Sequence, residues 1–314
     1  MTTTTATTTG LRAPRHAPTS RGRPGSGAGV LRSTRAELLR LRRWPALWIT
    51  VGAELALNLL FLYVFSYVSY RSGDGGDGGG ITGGVPRDSL LADMLPDAIP
   101  RVAVQGMPVF AGALVLIVGA LAAGSGYGWG TVKTVTLQGP GRLAALTGTL
   151  AALAVFVVVL VAALFAMDVA VSLLVATTES QPVVWPSAGD LAQAFGGGVL
   201  VMLMWTYAGV LVGTLARGPA LAVGLGLVWV LAVENLLRGV GALWSPIERV
   251  TDVLPGTAAG SLAGALGATP VSEPGGTPGV LTTLGGGQAV ALLAAWVIVF
   301  VVGTGWLVRR RDIT

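Results

Sequence analysis

The chain predicts an all-α polytopic membrane protein. It should have six transmembrane helices, both termini on the cytoplasmic side, a basic amphipathic helix before the first span, and a short surface helix between the second and third. Three observations carry this. Hydrophobic residues make up 53% of the 314 and charged residues only 11%, where a soluble domain carries roughly 25% charged. Six stretches stay apolar over the roughly 20 residues that a helix needs to cross about 30 Å of hydrocarbon. Basic residues are also distributed unevenly: with the N-terminus inside, fifteen of the 20 Lys and Arg are cytoplasmic and five are outside, as the positive-inside tendency requires.

Taken in order, Met1–Gly29 is rich in Thr, Pro, Gly and Arg and has no apolar core with a cleavage site. It reads as a disordered cytoplasmic tail rather than a signal peptide. The only histidine, His16, lies in it and reads as solvated. The domain proper begins at Val30. Over Val30–Trp44, Arg32, Arg35, Arg40, Arg42 and Arg43 sit among Leu31, Leu38, Leu39 and Leu41. Such a helix should lie in the headgroup plane with its arginines against anionic lipid, and Trp44-Pro45 marks the corner into the bilayer.

The expected spans are Leu47–Tyr70, Val102–Ala123, Leu143–Val175, Leu191–Leu215, Pro219–Leu237 and Ala289–Val308. The third is longer than a crossing requires, so its start should project into the cytoplasm before about Leu150 enters the membrane. Between spans two and three, Gly130–Leu137 is long enough for two helical turns, and Gly139-Pro140-Gly141 ends them. The Ala216-Arg217-Gly218 connection is so tight that spans four and five must be antiparallel neighbours. Among the outer loops, Arg71–Arg101 opens on a flexible Gly/Asp tract. Arg238–Gln288 has an apolar first half that should fold back as short helices.

Enzyme chemistry has little support. The chain has no cysteine, no phosphate-binding loop of the G-x-x-x-x-G-K-[ST] kind, no G-x-S-x-G elbow and no H-E-x-x-H. Three acids lie within spans, Glu54, Asp168 and Glu234, where a carboxylate is costly and marks a relay or substrate contact unless it is neutralised. Glu234 stands four residues from Arg238, the spacing of an ion pair. Asp168 lies late in the third span. Glu54 shares a face with Asn58, with basic residues of the preceding helix expected to snorkel towards it. Tyr63, Tyr67 and Tyr70 recur at helical spacing, either as an interfacial aromatic belt or as the lining of a cavity. Candidate substrate or relay residues are therefore Glu54, Asn58, Tyr63, Tyr67 and Asp168. Gly196-Gly197-Gly198 and Gly224-x-Gly226 should permit close helix approach.

From Val30 to Thr314 the chain resembles a permease subunit of a type-2 ABC (ATP-binding cassette) exporter. Four features carry the resemblance: the basic helix running through Arg35, Arg40, Arg42, Arg43 and Trp44 into the first span; Tyr127-Gly128-Trp129-Gly130-Thr131-Val132-Lys133-Thr134 with Gly139-Pro140-Gly141-Arg142; Leu254-Pro255-Gly256-Thr257-Ala258-Ala259 before the last span; and the ending Arg309-Arg310-Arg311-Asp312-Ile313-Thr314. In that family the segment after the second span is a coupling helix that docks on a separate ATPase. The resemblance implies that Tyr127, Trp129, Gly130, Thr131, Lys133, Thr134 and Arg142 couple to such a subunit. Ser125-Gly126 stands where the family often has an acid.

The resemblance further implies two ATPase subunits carrying ATP and Mg, a second permease chain (most simply another copy), and the cell membrane of a bacterium as location. The permease itself would bind no cofactor and no nucleic acid. The cargo would be hydrophobic or amphiphilic: a drug, a peptide antibiotic or a lipid. A proton-coupled secondary transporter and a non-transporting sensor or scaffold are the alternatives.

Overall fold

The computed structural model describes residues 26–72, 85–128, 141–241 and 243–310, and all regular structure among them is helical. Six helices are long and apolar enough to cross a membrane: Pro45–Ser72, Met107–Ser125, Arg142–Thr178, Ala188–Ala216, Pro219–Gly241 and Gly286–Arg310. They are referred to here as spans one to six. Five of them contain the expected stretches and run a few residues beyond them.

The second departs from expectation. In place of one helix over Val102–Ala123, a short helix Ile99–Gln105 ends at Gly106, a π turn covers Met107–Ala111, and α-helix resumes over Gly112–Gly128. Pro108 is the cause. It has no N–H to donate, and in a straight helix its ring would strike a carbonyl one turn back. The chain widens instead, with Ala111 N–H donating to the Gly106 carbonyl at 3.1 Å. The Pro108 carbonyl accepts from the Trp205 indole N–H at 2.9 Å. Spans one and five carry similar π stretches at Leu59–Val64 and Val228–Val233.

Spans two and four form the centre, 67% and 61% of their apolar windows being buried, against 17% for spans one and six. Their backbones touch. A Cβ on Gly119 would collide with the Thr206 carbonyl, one on Gly209 with the Leu116 carbonyl, and one on Gly213 with the Ala120 carbonyl. This is the small-residue contact by which helices pack where lipid supplies no hydrophobic drive. Of the glycines expected to serve this purpose, Gly197, Gly198 and Gly226 do face Leu266, Met107 and Leu116, but Gly196 and Gly224 have nothing within 4 Å. Large apolar side chains such as Ile49, Val159, Ile298 and Val302 face outward, as a lipid solvent allows.

Span three has 37 residues, about 55 Å at 1.5 Å each, well beyond one crossing. Its first turns are braced by the N-terminal helix Ser26–Arg42. Ser33 packs on Gly148, where a Cβ would not fit. Glu37 accepts from the Thr149 hydroxyl at 2.9 Å and pairs with Arg40, whose other arm donates to the Ala122 carbonyl at 3.4 Å. The helix starts four residues inside the segment read as tail and stops before Trp44. Trp44 is extended and caps span one, with Pro45 at the first helical position, the place where its missing N–H costs nothing. Leu41 is buried, but Leu31 and Leu39 remain exposed beside Arg32, Arg35, Arg42 and Arg43, so the apolar face is narrower than the sequence pattern.

The tight turn between spans four and five is present: Arg217 adopts φ 54° and Gly218-Pro219 starts the next helix. Span four begins on a Ser187 cap that accepts from Asp190 N–H at 3.0 Å. The segment between spans five and six forms two short helices, Ser245–Asp252 and Pro255–Ala265. The second is buried at every residue from Pro255 to Ala263 and is inserted into the bundle. The expected surface helix Gly130–Leu137 lies outside the described residues.

Candidate functional site

A cavity of about 590 Å³ lies between span one, the turn that opens span two, and residues 269–278. Span one contributes Glu54, Leu57, Asn58, Phe61, Phe65 and Ser66, spaced as one stripe of a helix and running about 18 Å along it. The roof is a folded loop in which Val271 N–H donates to the Val280 carbonyl and Thr277 N–H to that of Thr269, both at 3.2 Å. Gly275 and Gly279 adopt φ of 74° and 89° there, conformations that other residues take at a cost. Aromatic rings make the walls. Phe61 stacks on Phe110 with centroids 6.3 Å apart and meets Phe65 edge-on at 5.3 Å.

The lining is acidic. Glu54, Asp93 and Glu273 contribute to it, and no Lys, Arg or His does among the described residues. Asp93 is held by Arg101, whose Nη2 and Nε donate to Oδ1 at 2.6 and 3.1 Å. Glu54, only 4% exposed, has no such neighbour. Its Oε1 is buried without a hydrogen-bond partner among the described residues. The arginines expected to snorkel towards it do not pair with it: Glu54 is nine residues into span one, about 14 Å from its start, and Arg40 is engaged by Glu37.

Next to the cavity, span one is zipped to span three. Asn58 Nδ2 donates to Asp168 Oδ1 at 2.7 Å. The Tyr63 hydroxyl donates to the Asp168 carbonyl at 3.4 Å and lies 3.3 Å from Ser172 Oγ. Tyr67 and Tyr70 donate to the two oxygens of Glu179 at 2.7 and 3.2 Å, with Arg71 Nη1 3.5 Å away. The tyrosines thus turn towards span three and its C-terminal cap rather than lining this cavity, because the Asp168 carbonyl and the Glu179 carboxylate accept from them. Asp168 is fully buried, and its Oδ2 has no partner among the described residues. Of the five candidate substrate or relay residues, Glu54 and Asn58 line the cavity, while Asp168, Tyr63 and Tyr67 lie in the seam behind it.

Glu234 is structural. It is 1% exposed and accepts from Arg238 Nη2 at 3.0 Å, Trp229 Nε1 at 2.9 Å and Gly256 N–H at 3.3 Å. A Cβ on Gly256 would occupy the carboxylate's position. Arg238 Nε also donates to Thr257 Oγ1 at 3.3 Å. The Leu254-Pro255-Gly256-Thr257 run therefore starts the buried helix with Pro at its first position and an ion pair seated on its N-terminus.

Of the residues assigned to ATPase coupling, Tyr127 stands in the last turn of the span-two helix and Arg142 opens span three. Trp129, Gly130, Thr131, Lys133 and Thr134 lie outside the described residues. Phe61 and Phe65 were open to sequence reasoning, since they continue the Glu54–Asn58 stripe. Phe110, Asp93 and Glu273 come from distant segments, and no periodicity links them to it. No protein-family model and no curated protein matches this chain.

Proposed function

We propose that this chain is the membrane-spanning permease of an ATP-driven exporter of the type-2 ABC class, working with a separate ATPase and a second permease chain in a bacterial cell membrane. Its own residues bind no nucleotide. What supports the reading is the bracing of the two helices that flank the Tyr127–Thr134 and Gly139–Arg142 motifs in the chain. These motifs join spans two and three, and the Ser26–Arg42 helix braces those two spans together through Arg40–Ala122, Ser33–Gly148 and Glu37–Thr149. A segment held at both ends by braced helices can receive a push from a soluble partner and pass it to the spans. The energy would enter through contacts that differ between the two states of the ATPase.

The test is co-expression with an ABC ATPase encoded beside this chain, comparing wild type with Thr131→Asp/Lys133→Glu. Wild type should co-purify with the ATPase and alter its turnover, and the variant should lose either the complex or the coupling. Failure of the wild type to hold any such ATPase under several mild conditions would sink the reading. Glu54 Oε1 and Asp168 Oδ2, buried without a hydrogen-bond partner among the described residues, favour a second reading, a proton-coupled transporter. It requires substrate movement driven by a pH gradient without nucleotide, abolished by Glu54→Gln or Asp168→Asn.

A further inference from the structure

We propose that the cavity under the 269–278 loop is a binding site for a lipophilic aromatic cation carrying an N–H donor. Its ammonium would sit at Glu54 and its ring system against Phe61, Phe65 and Phe110. This deepens the transport reading by naming the class of cargo, and it rests on that reading only for the direction of movement.

Three features of the site select this ligand. The first is the Glu54 carboxyl, buried with an oxygen that receives no hydrogen bond from the described residues. A buried acceptor left without a donor is costly, and span one offers none at that level. A protonated amine supplies both the missing N–H and the opposite charge. The second is the aromatic wall directly along the stripe. Phe61 lies seven residues beyond Glu54, two turns up the same helix face, with Phe110 stacked on it. Such faces attract both flat apolar rings and cations. The third is charge. Glu54 at the foot and Glu273 at the roof are joined by Asp93, with no basic residue in the lining. Arg101 offsets the charge of Asp93, so an anion would be repelled at Glu54 and at Glu273. A neutral sterol or acyl chain would fit the walls but leave Glu54 unsatisfied. A bare divalent metal would need several oxygens converging on one point, and no group of three or more His, Cys, Asp or Glu comes together in that way among the described residues. The volume of about 590 Å³ falls within the range of pockets that enclose drug-sized molecules.

Rhodamine 6G is a suitable probe, being a fluorescent aromatic cation with amine N–H groups. Fluorescein shares its ring framework but is an anion. With the full chain in nanodiscs and no ATPase present, fluorescence anisotropy should show saturable rhodamine 6G binding and none for fluorescein. Glu54→Gln should weaken the binding at least tenfold. Leu57→Trp, which keeps the acid and fills the cavity, should weaken it similarly. On the wild-type chain, labelling of Glu54 by dicyclohexylcarbodiimide, read by mass spectrometry, should be slowed by rhodamine 6G and unaffected by fluorescein. Should a variant fail to fold, the wild-type labelling decides. Non-saturable binding equal to that of empty nanodiscs, equal affinity in wild type and both variants, or Glu54 labelling unchanged by rhodamine 6G would each overturn the proposal. Because no ATPase takes part, loss of this site leaves the co-purification result untouched, and the converse holds.

Discussion

Replacing Glu234 with Ala removes the acceptor for three donors at once: the Arg238 guanidinium, the Trp229 indole N–H and the Gly256 backbone N–H. The Arg238 side chain is only 20% exposed, so water reaches it poorly. Taking one partner from a buried ion pair costs about 3–5 kcal/mol, most of it the penalty of the stranded charge. Each neutral donor left without a partner adds about 1–3 kcal/mol. These costs overlap, because the space vacated by the carboxylate admits water, so about 4 kcal/mol is expected for the whole substitution. At roughly 2–4 °C per kcal/mol for a domain of comparable size, that is a fall of about 10 °C in the unfolding midpoint.

Tryptophan fluorescence on heating of the purified chain in nanodiscs measures it directly, with Trp229 itself a local reporter. The double variant Glu234→Ala/Arg238→Ala is the control, since it removes the stranded charge along with its partner. It should be less destabilised than the sum of the two single variants by about 2 kcal/mol, the size of coupling expected for groups in one network. A midpoint lowered by less than about 2 °C, or strictly additive single and double variants, would refute the view that Glu234 serves as a buried anchor for the Pro255–Ala265 helix.

Two further outcomes test the packing. Gly209→Val drives a branched side chain into the Leu116 carbonyl and should abolish a monodisperse peak in size-exclusion chromatography, whereas Gly224→Val, with nothing within 4 Å, should leave it unchanged. Asn58→Leu removes the donor to Asp168 Oδ1 in a carboxylate whose other oxygen is already without a partner among the described residues. It should cost about 1–3 kcal/mol, read as a lowered thermal midpoint that Asn58→Gln does not reproduce in full.

The spans were legible because lipid imposes a single requirement, an unbroken apolar length, and the sequence states it directly. The Arg217 turn and the Glu234–Arg238 pair were legible for a related reason, since both are set by spacing within a few residues. What escaped was anything decided by contact between distant segments. The pairing of spans two and four rests on Gly119, Gly209 and Gly213, which no local pattern distinguishes from the outward-facing Gly196 and Gly224. The tyrosines at 63, 67 and 70 have the spacing of a membrane belt, and only the arrival of Asp168, Ser172 and Glu179 on another helix turns them inward. Pro108 is the local signal for the break in the second span, since a residue without an N–H cannot sit in an undistorted helix interior. The cavity shows both limits: its span-one stripe follows from periodicity, but its roof depends on how a loop more than 200 residues away folds.

The zipper between spans one and three has a mechanical consequence. It holds at three levels, Asn58–Asp168, Tyr63–Ser172 and Tyr67/Tyr70–Glu179, and the far end of span three is clasped by the Ser26–Arg42 helix, whose chain leads directly into span one. The two spans are thus riveted along one edge and tethered at the other end, so they tilt as a single plate. Span three extends beyond a bilayer's thickness, which gives that plate a handle outside the lipid. A sideways displacement of the handle would not slide one helix past the other. It would swing the Glu54–Ser66 wall of the cavity as a unit against span two and the roof loop, changing the width of the chamber while leaving its chemistry intact.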